Sequence, residues 1–511
     1  MASLVRPLVV TLGVISASVF AGGKVIDPNN PPQGRFTDEW AEVFMGGEKV
    51  GFSHSTIGRE GNLIQTSVTL SLEIKRMNQA IAVRSVQSTT ETVDGVPTSF
   101  ETTTEMSTVK ISVKGTVKDG KVTVVQSQFG VEQSSTLDYP TGALMAWGMF
   151  RESQLRGYQP GTEYSAKIYE PSLRLDDAVT ARTAIGEWET FEHRGKEIRG
   201  QRVVAALESP MGTLEMVSWV DRFGMPLKAV LPMPGFGELA VISTDQASAL
   251  ADFAPPELFM TTVIKIDQPI DRQAAQRVEF RMTAKTEDTK LDDLPDTDMQ
   301  SVVKKTAQSV EILVTRQQHK PAAGSKPTEH SPEMAEYLEA NLLINTDDPE
   351  LAALAKRAAA GETEPFALAD KLRKFVTDFV LAKNLNIGFA SASEVCRTRE
   401  GDCSEHAVLL AALGRLNGLP SRVAVGIAYL PSFGGQQNVF GYHMWTQFYI
   451  QGRWVDVDAA LRETQCSPAR IAFATSSLKN TGLADLSLPL LTKLGGIEIE
   501  VLSTDTNQSG K

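Results

Sequence analysis

The chain has 511 residues, 42% of them hydrophobic and 22% charged, an ordinary globular composition with enough apolar surface for several cores of roughly 100–200 residues each. Its formal net charge of −12 and pI near 5.2 exclude the usual nucleic-acid binders, whose clustered Lys and Arg displace counterions from a polyanion. The cysteines are Cys396, Cys403 and Cys466, an odd number that leaves at least one thiol unpaired within a single chain.

The N-terminus reads as an address. Arg6 supplies a positive start, Pro7 to Phe20 (PLVVTLGVISASVF) an apolar run, and Val19-Phe20-Ala21 a small-residue cleavage site, so residues 1–21 are expected to be a secretory signal peptide. The run is shorter than the ~20 apolar residues a spanning helix needs. No later segment is apolar enough to span, so the mature protein is expected to be exported, periplasmic or extracellular, without an integral membrane segment.

After a Pro/Asn/Gly linker (DPNNPPQG), residues 37–255 alternate apolar and polar side chains in runs rich in Val, Thr, Ser and Phe. Period-two alternation predicts strands, and Asp119-Gly120 is a hairpin signal. The expected product is a large antiparallel sheet or open barrel, interrupted by a helix near Thr141 to Gly157. No cluster of His, Cys or paired acids falls here, so the region is assigned to positioning substrate or binding a cell-envelope component.

Residues 256–330 are expected to form a small β domain from "FMTTVIKI", "RVEFRMTA" and "SVEILVTRQQ". The acidic loop Thr286 to Asp298 lacks the Gly and terminal Glu of an EF-hand spacing. "HKPAAGSKPTEHSP" then marks a change from strands to helices. "DPELAALAKRAAAG" and "PFALADKLRKFVTDFV" have helical spacing, with Leu368, Leu372, Phe375, Val376 and Phe379 on one face, and are expected to lie as a lid on a domain spanning 331–485. Residues 486–511 read as a terminal strand and tail.

Within 331–485, "GDCSEHAVLLAALGRLNGLP" starts a helix: Asp402 is a good N-cap, Glu405 completes a capping box, and Gly418 and Pro420 stop it. Backbone N–H groups and the helix dipole at such a start stabilise a thiolate at Cys403. Downstream, "FGYHMWTQFYIQGRWVDVDAA" alternates as a strand, turns at Gln451-Gly452 and returns. A two-residue turn sets Gln447 opposite Asp456 and Trp445 opposite Asp458, with His443 diagonal to Asp458 on the same face, about 7–8 Å away between Cα atoms. A cysteine, a histidine to take its proton and an aspartate to orient the imidazole make a nucleophile, base and orienter triad.

These residues resemble the core of the bacterial transglutaminase-like superfamily, on "GDCSEHAVLLAALGRLNGLPSRVAVGIAY", "YHMWTQFYIQGRWVDVDAA" and the helical lead-in "YLEANLLINTDDPELAALAK". The likeness covers roughly residues 333–480. It implies an α+β protein whose C-terminal transglutaminase-like (papain-like) domain is preceded by large antiparallel β-rich domains. Cys403 would be the nucleophile, His443 the base and Asp458 the third member. His406, one turn beyond the cysteine, would be a substrate-facing or supporting group beside Asp402, and Trp445 would shield the dyad from solvent. Asp458-Ala459-Ala460 departs from the family's more usual Asp-Pro and small hydroxyl residue.

The implied chemistry is acyl transfer through a Cys thioester at amide bonds of a protein or peptide substrate, with hydrolysis favoured over crosslinking and neither cofactor nor metal required. Two other readings compete. One is a metal site from Cys396, Cys403, His406 and His443, whose spacing matches no standard zinc knuckle. The other is a catalytically silent binding module. Cys396 and Cys466 flank the motif and are candidates for a disulfide that leaves Cys403 free.

Overall fold

A computed structural model describes residues 26–506, apart from 77–78, 107–108, 129–130, 173–174, 210–211, 234–236, 258–261, 287–288, 290, 292, 319–331, 382–389, 480–485, 487–488, 491–492 and 494. The proposed signal segment and most of the Pro/Gly/Lys-rich stretch lie outside the described residues. The chain divides into two compact units, essentially 5–258 and 259–511. Among the described residues no helix is long and apolar enough to cross a membrane.

The first unit contains strands β1 (Gly34–Met45), β2 (Glu48–Glu60), β3 (Leu63–Arg76), β4 (Gln79–Thr92), β5 (Pro97–Met106), β6 (Val109–Lys118), β7 (Lys121–Gln128) and β8 (Val131–Asp138), then helix α1 (Ala146–Arg156). Strands β9 (Glu163–Ile168), β10 (Val179–His193), β11 (Lys196–Ser209), β12 (Gly212–Val220), β13 (Pro226–Met233) and β14 (Gly237–Thr244) follow. They form one antiparallel sheet running from β8 back to β1, across to β14 and on to β9. Period-two sequence makes this economical, since each strand pairs with its chain neighbour and only the β1–β14 junction closes a long loop. Asp119-Gly120 forms the expected two-residue turn, with Lys118 opposite Lys121.

Helix α1 stands where the sequence predicts a helical interruption. Its N-cap, Met145, has no capping side chain; the carboxylate of Glu91 serves instead, accepting from the backbone of Trp147 at 2.6 Å and of Gly148 at 2.8 Å. The Trp147 indole is fully buried and donates to the Val93 carbonyl. Burial dominates at Glu91 and pushes its carboxyl up to about 7, the usual response of an acid held in an apolar setting.

The second unit holds β15 (Ile264–Lys265), β16 (Ala275–Ala284), β17 (Gln300–Lys305) and β18 (Ser309–Thr315), then helices α2 (Pro349–Ala359), α3 (Pro365–Phe379), α4 (Ala392–Thr398) and α5 (Cys403–Leu416). Strands β19 (Ser421–Phe433), β20 (Gln436–Ile450), β21 (Arg453–Val457), β22 (Arg470–Ser476) and β23 (Ile497–Thr506) complete it. One sheet has the order β15-β20-β19-β22 with β21 on β20; the other is β17-β18-β16-β23. Both α2 and α3 begin with Pro behind an acidic N-cap, Asp348 and Glu364, where the missing Pro N–H costs nothing. They pack against α5.

The segments read from sequence as 256–330 and 486–511 share a sheet, with β23 against β16. That sheet is tied into the first. Gln300 bonds both the amide and the carbonyl of Ala472, Gln317 holds the Trp454 carbonyl and the Asp456 amide, and Phe280 meets Phe440 edge-on at 5.6 Å. Strand pairing between residues some 220 positions apart leaves no signal in local periodicity.

Candidate active site

Helix α5 begins as its sequence dictates. The Asp402 side chain accepts from Ser404 N at 2.9 Å, and the Glu405 side chain accepts from Asp402 N at 2.8 Å, a complete capping box. A Cβ on Gly401 would lie 2.2 Å from Glu405 Cβ, so only glycine lets the chain enter the box. Glu405 also accepts from Ala390 N and is fully buried. Burial, then the Asp402 charge, pushes its carboxyl up to about 8. Cys403 is half-buried at the first helical position, where backbone N–H groups lack intrahelical acceptors.

The β20–β21 hairpin turns at Gln451-Gly452, and its register sets Tyr449 opposite Trp454, Gln447 opposite Asp456 and Thr446 opposite Val457. Alternate residues of β20 hold the helix, Thr446 Oγ1 donating to the Ala407 carbonyl at 2.9 Å. The intervening residues carry polar groups. His443 Nε2 meets Asp458 Oδ2 at 2.7 Å, and the His443 ring is electrostatically coupled to the Cys403 side chain. With Nε2 committed to Asp458, Nδ1 is the ring nitrogen left for the thiol.

Asp458 leaves β21 in a short loop closed by paired backbone bonds with Glu463, at 2.7 and 2.8 Å, while Leu461 N donates to Asp458 Oδ1. Ala459 is fixed through its carbonyl by Thr377 of α3. The Ala-Ala exit is therefore held by hydrogen bonds that do not depend on its side chains.

The third contact of Asp458 is Arg470, the first residue of β22 and one that no local pattern marks. Its Nη2 lies 3.2 Å from Asp458 Oδ2 and 2.5 Å from Glu463 Oε2, its Nε donates to the Ser467 carbonyl, and its guanidinium sits 5.0 Å over the Trp445 ring. Arg272, from the β15–β16 connection, takes the other Glu463 oxygen at 2.6 Å. Burial works against the Asp458 charge, but His443, Arg470 and the Leu461 amide outweigh it and hold the carboxyl below the usual carboxylate range. At His443 burial likewise opposes charge, and Asp458 with Cys403 outweighs it, raising the imidazole from 6.5 to about 10.

The other expected residues take quieter places. His406 is buried and its Nδ1 donates to the Asp402 carbonyl one turn back, at 2.6 Å. Trp445 is 1% exposed, and its ring lies nearly parallel to that of His443 with centroids 6.1 Å apart. Cys396 and Cys466 are both free, which corrects the expected disulfide; each thiol is raised by burial. Among the described residues no group of three or more His, Cys, Asp or Glu is placed to hold a metal ion.

Gly426 explains how Arg470 reaches the site. It pairs with His443 on one side and, at a bulge, with β22 on the other, where a Cβ would lie 1.9 Å from the Ile471 carbonyl oxygen. Gly426→Ala is expected to push β22 away and destabilise the unit by about 1–3 kcal/mol or more. Denaturant unfolding checks the stability.

Residues 352–459 match the family model of the transglutaminase-like superfamily, a span that includes Cys403, His443 and Asp458. Two solved structures are similar to the chain. One is a proposed cysteine protease from Cytophaga hutchinsonii, 14% identical, TM-score 0.32, with 46% of this chain and 93% of that one covered. The other is a proposed protease from Parabacteroides distasonis, 10% identical, TM-score 0.19, with 69% of this chain and 64% of that one covered. No curated protein matches the chain.

Proposed function

We propose, from the transglutaminase-like core at residues 352–459, that this chain is an exported thiol enzyme that cleaves or exchanges amide bonds of proteins or peptides through a Cys403 thioester. The observation that carries the reading is the His443–Asp458 hydrogen bond, with the raised His443 ring electrostatically coupled to Cys403 at the start of α5. Export rests on the apolar run of residues 7–20 and its small-residue end.

In this reading Cys403 and His443 meet substrate as a thiolate and an imidazolium. The sulfur attacks the amide carbonyl carbon, and the resulting oxyanion is held by the Cys403 backbone N–H and one further donor. Collapse breaks the C–N bond as the imidazolium gives its proton to the departing amine, leaving a thioester. Water, or a second amine for transamidation, then loses a proton to His443 as it attacks the thioester, and the thiolate leaves. Asp458 keeps the ring oriented and compensates its charge throughout. Hydrolysis is the favoured outcome.

The test is the rate of iodoacetamide labelling at Cys403 across pH, in the wild type and in His443→Ala, with Cys396 and Cys466 followed by mass spectrometry. An activated thiolate labels fast at neutral pH and slows by about tenfold or more without the imidazole. Labelling at the pace of an ordinary thiol, indifferent to His443, would sink the enzyme reading and favour a silent binding module.

A further inference from the structure

Outside the candidate active site, the first unit contains a cavity of about 140 Å³ between α1 and the β9–β13 half of its sheet. We propose that this cavity is a binding site for a single saturated hydrocarbon chain, the acyl tail of a fatty acid or lipid.

Its walls are mostly apolar and come from several elements: Met149 and Phe150 of α1, Ala181 of β10, Ala205 and Leu207 of β11, and Met216 of β12. Three of the polar side chains along it are engaged elsewhere: Ser153 donates to the Phe150 carbonyl at 2.8 Å, Tyr158 to Ser153 at 3.3 Å, and Glu152 accepts from Arg156 at 2.8 Å. A polar ligand would have to break these bonds, whereas an apolar one leaves them intact. Cavities of similar size lined by Leu, Ile and Phe stay dry and take up small hydrocarbons. Small residues, Ala181 and Ala205 on adjacent strands, leave a channel suited to an unbranched chain. The helix that closes it is anchored at its N-terminus by Glu91 and the Trp147 indole, so the cavity persists as part of the fold.

The experiment is titration of the full chain with n-alkyl carboxylates from hexanoate to tetradecanoate, and with lysophosphatidylcholines of matching tails. The expected result is affinity rising about fourfold per added methylene until the cavity is filled, then levelling off, with the same slope in both series. An equal slope assigns recognition to the tail from either source; affinity independent of chain length overturns the proposal. Ala205→Phe fills the cavity and is expected to abolish the slope while the circular dichroism spectrum is retained; an unchanged slope in that variant places binding elsewhere and overturns it. Should that variant fail to fold, a fatty acid carrying a diazirine near its terminal methyl decides on the wild type. Crosslinks in α1 or β10–β12 support the site, and crosslinks confined to other peptides overturn it.

Discussion

In Asp458→Asn, formation of the acyl-enzyme is expected to fall by about 10³–10⁴-fold, the size of loss seen when the carboxylate of a nucleophile, base and orienter triad becomes an amide. Both oxygens of Asp458 accept hydrogen bonds, Oδ2 from His443 Nε2 and Oδ1 from the Leu461 amide, and Oδ2 also pairs with the Arg470 guanidinium at 3.2 Å. An asparagine must turn its NH₂ toward one of these donors, leaving buried donors facing each other at about 1–3 kcal/mol each. His443 would also lose the charge that raises it to about 10. Burial would then be opposed by Cys403 alone, and the imidazole would titrate well below about 10. Single-turnover kinetics on an activated acyl substrate and the NMR titration of His443 measure the two effects. An unchanged His443 titration would show that Asp458 does not hold the imidazolium.

The sign of the linkage follows from the same pair. A histidine raised in the folded state contributes stability that is full below its unfolded value near 6.5 and is lost as pH rises toward about 10. Asp458, held low, contributes stability present above its unfolded value near 3.8 and lost as pH falls. The pair therefore supports the second unit most fully between about pH 4 and 6.5.

Arg470→Met is expected to destabilise the second unit by about 3–5 kcal/mol, the range for breaking a buried ion pair from one side. The side chain is 3% exposed and stands between Asp458, 1% exposed, and Glu463, 14% exposed. Arg272 still compensates Glu463 after the change, but Asp458 would keep only His443 and the Leu461 amide. With Arg470 gone Asp458 is held less far below its ordinary range, so its stabilising charge is lost at higher pH and acid unfolding should begin earlier. Denaturant unfolding at several pH values, read by hydrogen exchange in β20 and β21, measures both. A loss below about 1 kcal/mol, as for an exposed pair, would show that the site does not depend on Arg470. Arg470→Met combined with Glu463→Gln separates the two carboxylates, since coupled residues give a non-additive cycle.

Local sequence determined most of the candidate triad's geometry. Asp402 and Glu405 start α5 through side chain to backbone bonds only three residues apart, so Cys403 at a helix start is legible from "GDCSE". The β20–β21 register follows from a two-residue turn and period-two alternation, and it brings His443 to Asp458 as the spacing predicts. The long run of strands in residues 37–255 and the helix inside it are legible for the same reason, since each strand pairs with its chain neighbour.

Tertiary structure alone decided the rest. Arg470 reaches Asp458 because β22 packs on β19 at a glycine, a pairing between segments with no shared period. Glu91 caps a helix 56 residues away, and Gln317 and Arg272 buttress the Asp456–Glu463 stretch from a sheet that also recruits the terminal strand β23. The cavity behind α1 is likewise invisible in sequence, since its walls are ordinary core residues until the helix is set against the sheet. Hydrogen bonds and apolar alternation within about ten residues leave a pattern in the chain; charge compensation and cavity shape depend on which distant surfaces are buried together, and no local period encodes that.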